Sequence, residues 1–229
     1  MCLTYLKRGW RYYRRSIEAF VIAELLVLFL LFIMGVLVLL NPIFLQSFLT
    51  GKPSSIDLAS VLVLVLLVIL SSLFQFGIYG IAFESTRRRA RVGTMFKTIK
   101  AYWTGWLGIS VLISFVLLPL VFFFTYSLAT FNLPGIIVSA IVLLFLSLLF
   151  LLAYPALIDV KSTKKALQLS TRIALSNFLE LLALFLFFAG VSFLVALIPL
   201  FGYFINTLVI SPIGYATYVS FYKAKKRRS

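Results

Sequence analysis

Glu24 is an acidic residue inside the first long apolar segment of the chain, where it is a candidate for chemistry within a membrane. A charged side chain near the centre of a membrane helix costs roughly 2.5–3.5 kcal/mol on insertion scales, so such residues are functional candidates by default. One interpretation makes Glu24 a proton or cation site. The alternative makes it a polar contact between two helices.

Three further positions could extend a polar path from Glu24. Gln75 lies in the second apolar segment at a similar depth, and we expect the two side chains to share a hydrogen bond or a water molecule. Ser211 and Pro212 lie in the last apolar segment, where a proline can break a membrane helix and free backbone carbonyl groups. These four residues would line the path of a small transporter or channel.

Basic residues cluster between the apolar segments in a pattern typical of lipid headgroup binding. Guanidinium groups bind phosphate oxygens through paired hydrogen bonds, and each cation near an anionic surface contributes about 1 kcal/mol. Alternatively, these charges only orient the helices in the membrane. Nucleic acid is not expected, because the cations are split among four short clusters beside apolar segments. The headgroup candidates are Arg87, Arg88, Arg89, Arg91, Lys97, Lys100, Lys164, Lys165 and Arg172.

Four further acids lie close to basic residues and are predicted to form ion pairs. Glu18 follows Arg14 by four positions and Arg15 by three, a spacing at which helical side chains meet. The same interpretation applies to Glu84, Asp159 and Glu180. A cytoplasmic ring of these carboxylates that binds a cation is the alternative.

Composition excludes most enzyme chemistry. The chain has no histidine and one cysteine, so it cannot assemble a Ser-His or Cys-His nucleophile or a zinc site of the usual spacing. It also has no glycine-rich phosphate loop. We therefore predict that the protein is not an enzyme and that it binds no metal and no cofactor.

Membrane helices must position these side chains. The 229 residues are 63% apolar and 12% charged, against about 45–50% and about 25% in soluble domains. A helix of about 20 residues crosses the hydrocarbon core, and the alternation typical of barrel strands is absent. The sequence predicts an all-α, polytopic bundle of six transmembrane helices in one membrane domain, residues 1–229. The predicted helices cover about 19–40, 58–83, 106–129, 135–157, 179–200 and 204–221.

The distribution of charge predicts the orientation of the bundle. Every lysine and arginine except Lys52 lies in a terminal segment or in the second or fourth connection. The positive-inside rule therefore places both termini in the cytoplasm. Short outer turns at 132–134 and 201–203, with the longer outer connection at 41–57, give three antiparallel hairpins. Amphipathic stretches expected at the membrane surface cover about 3–18, 94–104 and 162–178.

A series of short motifs from about residue 80 to residue 222 carries a family resemblance. The chain resembles the six-helix membrane domain attached to some bacterial glycerophosphoryl diester phosphodiesterases, and related uncharacterised prokaryotic membrane proteins. The matching residues are Arg91, Gly93 and Phe96; Pro155-Ala156-Leu157-Ile158; Ala166-Leu167, Ser170, Arg172 and Asn177-Phe178; and Ile198-Pro199-Leu200-Phe201-Gly202, Ser211-Pro212 and Tyr222. The chain lacks the enzyme's soluble domain, so the resemblance implies architecture and a prokaryotic membrane location but no activity.

These observations predict a non-enzymatic multi-pass protein of a prokaryotic cell membrane. Its basic cytoplasmic face is expected to bind or organise anionic lipids, or to bind a membrane-protein partner. The alternative function is a small transporter or channel with a polar path near Glu24 and Gln75. An enclosed polar cavity would favour transport, whereas a filled core would favour the lipid-binding function.

Overall fold

The structure, a computed structural model, describes residues 2–40, 58–199 and 201–227. This part of the chain is 90% helix and contains no strand, which confirms the predicted all-α fold class. The helices are α1 (Cys2–Arg15), α2 (Ile17–Leu40), α3 (Leu58–Ser85), α4 (Val92–Ala129), α5 (Leu133–Phe150), α6 (Ala153–Val160), α7 (Thr163–Ser176), α8 (Phe178–Ala196), α9 (Phe201–Ile205) and α10 (Ser211–Lys226). A π-helical segment, Asn206–Ile210, joins α9 to α10. The predicted outer connection 41–57, with Lys52, lies outside the described residues.

Five helical segments are long and apolar enough to cross a membrane, and α1 with α2 makes a sixth if that bent pair counts as one span. The bend between α1 and α2 is 84°. It occurs at Ser16, where an amphipathic sequence gives way to an almost wholly apolar one. The bend lies inside the stretch predicted at 3–18, so the last two residues of that stretch begin α2.

The third predicted span and the amphipathic stretch before it form one continuous helix. The sequence predicts separate segments at 94–104 and 106–129, but α4 runs through both for 38 residues. At 1.5 Å per residue α4 is about 57 Å long, well beyond the thickness of a hydrocarbon core. A single residue, Gly105, lies between the two predicted stretches, and it does not end the helix.

Both short outer turns lie slightly before the predicted residues. Helix α4 ends at Ala129 and α5 begins at Leu133, so the chain turns at 130–132 rather than 132–134, and the Asn132 side chain accepts a hydrogen bond from Gly135 N, 3.2 Å away. The turn at 201–203 is wrong, because these residues begin α9 and the chain turns just before them. Gly202 packs so closely on the end of α8 that a Cβ there would lie 2.1 Å from the Val195 carbonyl oxygen.

The last span is irregular where the sequence places Pro212. Proline has no backbone N–H and cannot donate to the carbonyl four residues earlier, that of Leu208. The π-helical segment directly precedes Ser211 and Pro212, and the Ser211 N–H donates to the Asn206 carbonyl. The Tyr13 hydroxyl on α1 donates to the Leu208 carbonyl at 3.0 Å. A side chain from another helix thus supplies a donor that Pro212 lacks.

The packed core lies at one end of the bundle. Residues of α3 from Phe76 to Phe83 and of α10 from Ala216 to Tyr222 are almost entirely buried, together with the inner face of α1. By contrast, the apolar side chains along α4, α5 and α8 are largely exposed, with Phe115 at 83% and Phe193 at 67%. Exposed apolar side chains on long helices are what a lipid environment requires.

Candidate anion-binding cavity

A cavity of about 490 Å³ opens at the end of the bundle that carries the packed core. We call it the cationic cavity. Its walls come from α1, the start of the connection after α3, the end of α6 and the last turns of α10. It is lined by Arg8, Tyr12, Phe83, Thr86, Arg87, Asp159, Ser220, Lys223, Ala224, Lys226 and Arg227.

The charges that line the cationic cavity are unbalanced. Five lining residues are basic, and Asp159 is the single acid among them. Asp159 is already engaged, because it accepts hydrogen bonds from Lys226 and from the Tyr222 hydroxyl, the latter at 2.9 Å. The other four cations form no ion pair with an acid on this wall. Such a concave group of like charges is favourable for an anion.

Lys223 is fixed on the cavity wall by three groups. Its ammonium donates to the Phe83 carbonyl at 3.2 Å and to the Thr86 hydroxyl, and it lies 3.7 Å from the centre of the Phe83 ring. The nearby charges of Arg87 and Arg227 repel it, whereas Asp159 attracts it. An anion placed between these cations would relieve that repulsion.

Helix α1 brings Arg8 to the cavity by packing closely on α10. Gly9 lies against Thr217, where a Cβ would be 2.0 Å from the threonine hydroxyl oxygen. In the first turn of α1, the Tyr5 ring packs edge-on against Phe221, with ring centroids 5.2 Å apart. The glycine is therefore needed for close approach of the helices, and the cations of α1 stay on its exposed face.

The bend after α1 is attached to the connection that follows α3. The Ser16 hydroxyl accepts a hydrogen bond from the Ala90 N–H at 2.8 Å, in a buried position. Arg15 donates to the Ser85 carbonyl at 3.4 Å, and Arg89 pairs with Glu18 at 2.7 Å. The predicted pairing of Glu18 with the arginines of α1 is therefore wrong. The 84° bend turns α2 away from α1, so the spacing of a continuous helix does not apply.

A second cavity of about 520 Å³ adjoins the first and shares Phe83, Arg87 and Asp159 with it. Its charges are mixed, because Glu84 forms an ion pair with Arg88 four residues later. The remaining lining residues are Gly80, Thr94, Thr98, Tyr102, Ile158 and Lys161. Arg87 therefore stands between a strongly cationic cavity and a more neutral, hydroxyl-rich one.

The predicted headgroup residues fall into distinct groups in the structure. Arg87 lines both cavities, Arg88 lines the second, and Arg89 is paired with Glu18 on the surface. Arg91 is exposed and precedes the first residue of α4. The remaining candidates are exposed and line neither cavity: Lys97, Lys100, Lys164, Lys165 and Arg172.

Four basic residues of the cavity were missed as site residues by sequence reasoning: Arg8, Lys223, Lys226 and Arg227. Each belongs to a terminal basic cluster that the sequence analysis used only to set orientation. Because the two termini are far apart in sequence, no spacing rule could indicate that they share one cavity. The available signal was their common assignment to the cytoplasmic side.

The predicted intramembrane residues are not brought together. Glu24 is buried at 2% exposure, and its Oε1 atom has no hydrogen-bond partner among the described residues. It interacts electrostatically with Tyr13 and Tyr215. Gln75 is exposed, and no hydrogen bond joins it to Glu24 within the described part of the chain. The direct hydrogen bond predicted between them is therefore not formed.

The other positions of the predicted polar path lie in the last span. Ser211 is partly buried and Pro212 is buried, both at the start of α10. Glu180, one of the acids predicted to form an ion pair, pairs with Lys225 at 2.8 Å, and the lysine side chain is only 6% exposed. This ion pair links the start of α8 to the end of α10, on the same end of the bundle as the cationic cavity.

Comparison of the chain with protein-family models, with curated proteins and with solved structures finds no match. The family resemblance expected from the short motifs therefore stays a prediction.

Proposed function

We propose that the protein is a non-enzymatic, multi-pass protein of a prokaryotic cell membrane that binds anionic lipids through its basic cytoplasmic face. The proposal includes six spans, arranged as three antiparallel hairpins, with both termini in the cytoplasm. The observation that carries it is the cationic cavity, where five basic residues face one acid. Guanidinium and ammonium groups at headgroup depth are suited to phosphate oxygens.

The convergence of separate basic segments supports this topology. The cationic cavity combines Arg8 from the N-terminal helix, Arg87 from the second predicted connection and Arg227 from the C-terminal tail. Asp159, at the start of the fourth predicted connection, lies beside them. Segments that share one aqueous cavity lie on one side of a membrane. An even number of spans between them accounts for that arrangement.

Lipid co-purification followed by mass spectrometry tests this function. The cavity variant combines Arg8→Gln, Arg87→Gln and Arg227→Gln. The matched control combines Lys164→Gln, Lys165→Gln and Arg172→Gln, which removes the same charge from exposed positions on α7 outside both cavities. We expect the cavity variant to lose most of the anionic lipid that the wild type retains, and the control to keep it.

Two results would contradict the proposal. Equal retention of anionic lipid by the wild type and the cavity variant would remove the cavity as the binding site. Equal losses in the two variants would show that net charge, rather than the cavity, holds the lipid. A reporter fused to each terminus, with its accessibility measured in intact cells, tests the cytoplasmic assignment separately.

A transporter or channel is the second candidate, and the burial of Glu24 favours it. A carboxylic acid within a predicted span, beside Tyr13 and Tyr215, is the kind of group that relays a proton. Gln75 is exposed and forms no hydrogen bond with Glu24 in the described part of the chain. Proton flux into proteoliposomes, compared between wild type and Glu24→Gln, tests this function. Equal flux would exclude Glu24 as the relay.

A further inference from the structure

We propose that the cationic cavity selects lipids whose headgroup ends in a phosphomonoester over lipids whose phosphate is a phosphodiester. This inference rests on the proposed binding of anionic lipids and names the class of headgroup. A phosphomonoester carries a charge of about −1.5 to −2 at neutral pH, because its second pKa is about 6. A phosphodiester lipid such as phosphatidylglycerol carries a single negative charge on its phosphate.

The charge of the cavity fits the more highly charged headgroup. Asp159 is hydrogen-bonded to Lys226 and Tyr222, and the other four basic residues form no ion pair on the wall. One negative charge leaves most of this positive charge uncompensated. The second charge of a phosphomonoester acts on the same cations at close range, where the attraction between charges is strongest.

The number of donors points in the same direction. A phosphomonoester presents three terminal oxygens, whereas a phosphodiester presents two. The guanidinium groups of Arg8, Arg87 and Arg227 are exposed enough to reach a ligand, and each can donate two parallel hydrogen bonds to phosphate oxygens. The third terminal oxygen therefore has donors available within the cavity.

Titratable and hydroxyl-bearing groups from four parts of the chain face the cavity. They are Arg8 and Tyr12 on α1, Thr86 and Arg87 after α3, Asp159 on α6, and Ser220, Lys223, Lys226 and Arg227 on or after α10. The chain has no histidine, the side chain that ordinarily titrates between pH 5 and 8. Burial lowers the pKa of Lys223 to about 8, so this lysine begins to lose its charge at the upper end of the test range, which would weaken anion binding there. A preference for the phosphomonoester that rises from pH 5.0 to 7.5 therefore reports the second ionisation of the ligand and not the titration of Lys223.

The experiment measures lipid preference in nanodiscs by native mass spectrometry of the purified protein. The discs contain phosphatidylcholine with equal amounts of phosphatidic acid and phosphatidylglycerol of identical acyl chains. At pH 7.5 we expect phosphatidic acid to be retained about tenfold over phosphatidylglycerol. At pH 5.0 we expect this ratio to fall at least severalfold, because the phosphomonoester then carries close to one charge.

The variants and a soluble ligand complete the test. The triple cavity variant should lose the preference at both pH values, whereas the matched α7 control should keep it. Equal retention of the two anionic lipids at pH 7.5 would overturn this inference and leave the proposed function standing. No enrichment of either lipid over phosphatidylcholine would overturn both. Thermal protection by glycerol 3-phosphate, without any lipid preference, would overturn the assignment to a lipid headgroup.

Discussion

Replacing Gly9 by alanine should separate α1 from α10. A methyl group at position 9 would lie 2.0 Å from the Thr217 hydroxyl oxygen and 2.9 Å from the Thr217 Cα atom, whereas ordinary contact begins near 3.4 Å. Rotation of the threonine side chain can remove the first clash. It cannot remove the second, because Cα belongs to the backbone of α10. The two helices must therefore move apart.

The expected cost follows from overpacking a close helix contact. Extra methyl groups in packed regions cost about 1–3 kcal/mol, and a chain of this size loses about 2–4 °C in Tm for each kcal/mol. We expect Gly9→Ala to lower the Tm of the detergent-purified protein by about 4–8 °C, for a cost of about 2 kcal/mol. Gly9→Ser should lower it further, because its hydroxyl needs additional room and a partner.

The same substitution should weaken lipid binding, because α1 supplies Arg8 to the cationic cavity. Gly190→Ala is the control: a Cβ there meets no atom within 4 Å. Its Tm should be unchanged or raised, since alanine favours a helix over glycine by roughly 0.5–1 kcal/mol. If Gly9→Ala and Gly190→Ala unfold at the same temperature, the close contact of α1 with α10 is not present in the protein.

Three further substitutions are checked by the same thermal unfolding measurement. Lys225→Met should lower stability by about 1–3 kcal/mol, because it removes the buried ion-pair partner of Glu180; an unchanged Tm would contradict that pairing. Tyr13→Phe should cost about 1 kcal/mol by removing the donor to the Leu208 carbonyl, and wild-type stability would show that this hydrogen bond is absent. Glu24→Gln should leave stability equal or higher, because a buried acid is replaced by a neutral side chain of similar shape. A large loss would show that the carboxylate has a stabilising partner.

Much of the fold is predictable from the sequence because membrane helices are local structures. Every backbone group in lipid must be bonded within its own helix, so length and apolar content identify the segments directly. The turn at Asn132 is predictable for a similar reason, since its side chain bonds a neighbouring backbone N–H at the start of α5. The irregular backbone before Pro212 follows from the missing N–H of that residue.

Local sequence patterns do not predict features that depend on contact with a second helix. The turn predicted at Gly202 is helical because that glycine is needed for contact with the end of α8. The partner of Glu18 is Arg89, since the bend at Ser16 changes which surfaces meet. The sequence predicts that Gln75 and Glu24 lie at a similar depth in the membrane. Depth alone does not determine on which face of its helix each side chain lies.

The sequence by itself determined the helical class and the grouping of the cations into a few basic segments, because both depend on residue type and spacing along one helix. The tertiary structure decided which cations meet. Arg8, Arg87 and Arg227 line one cavity only because α1 packs on α10 beside the end of α3. Contacts between distant segments depend on how helix faces fit together, and that fit is a property of the packed bundle rather than of any single helix.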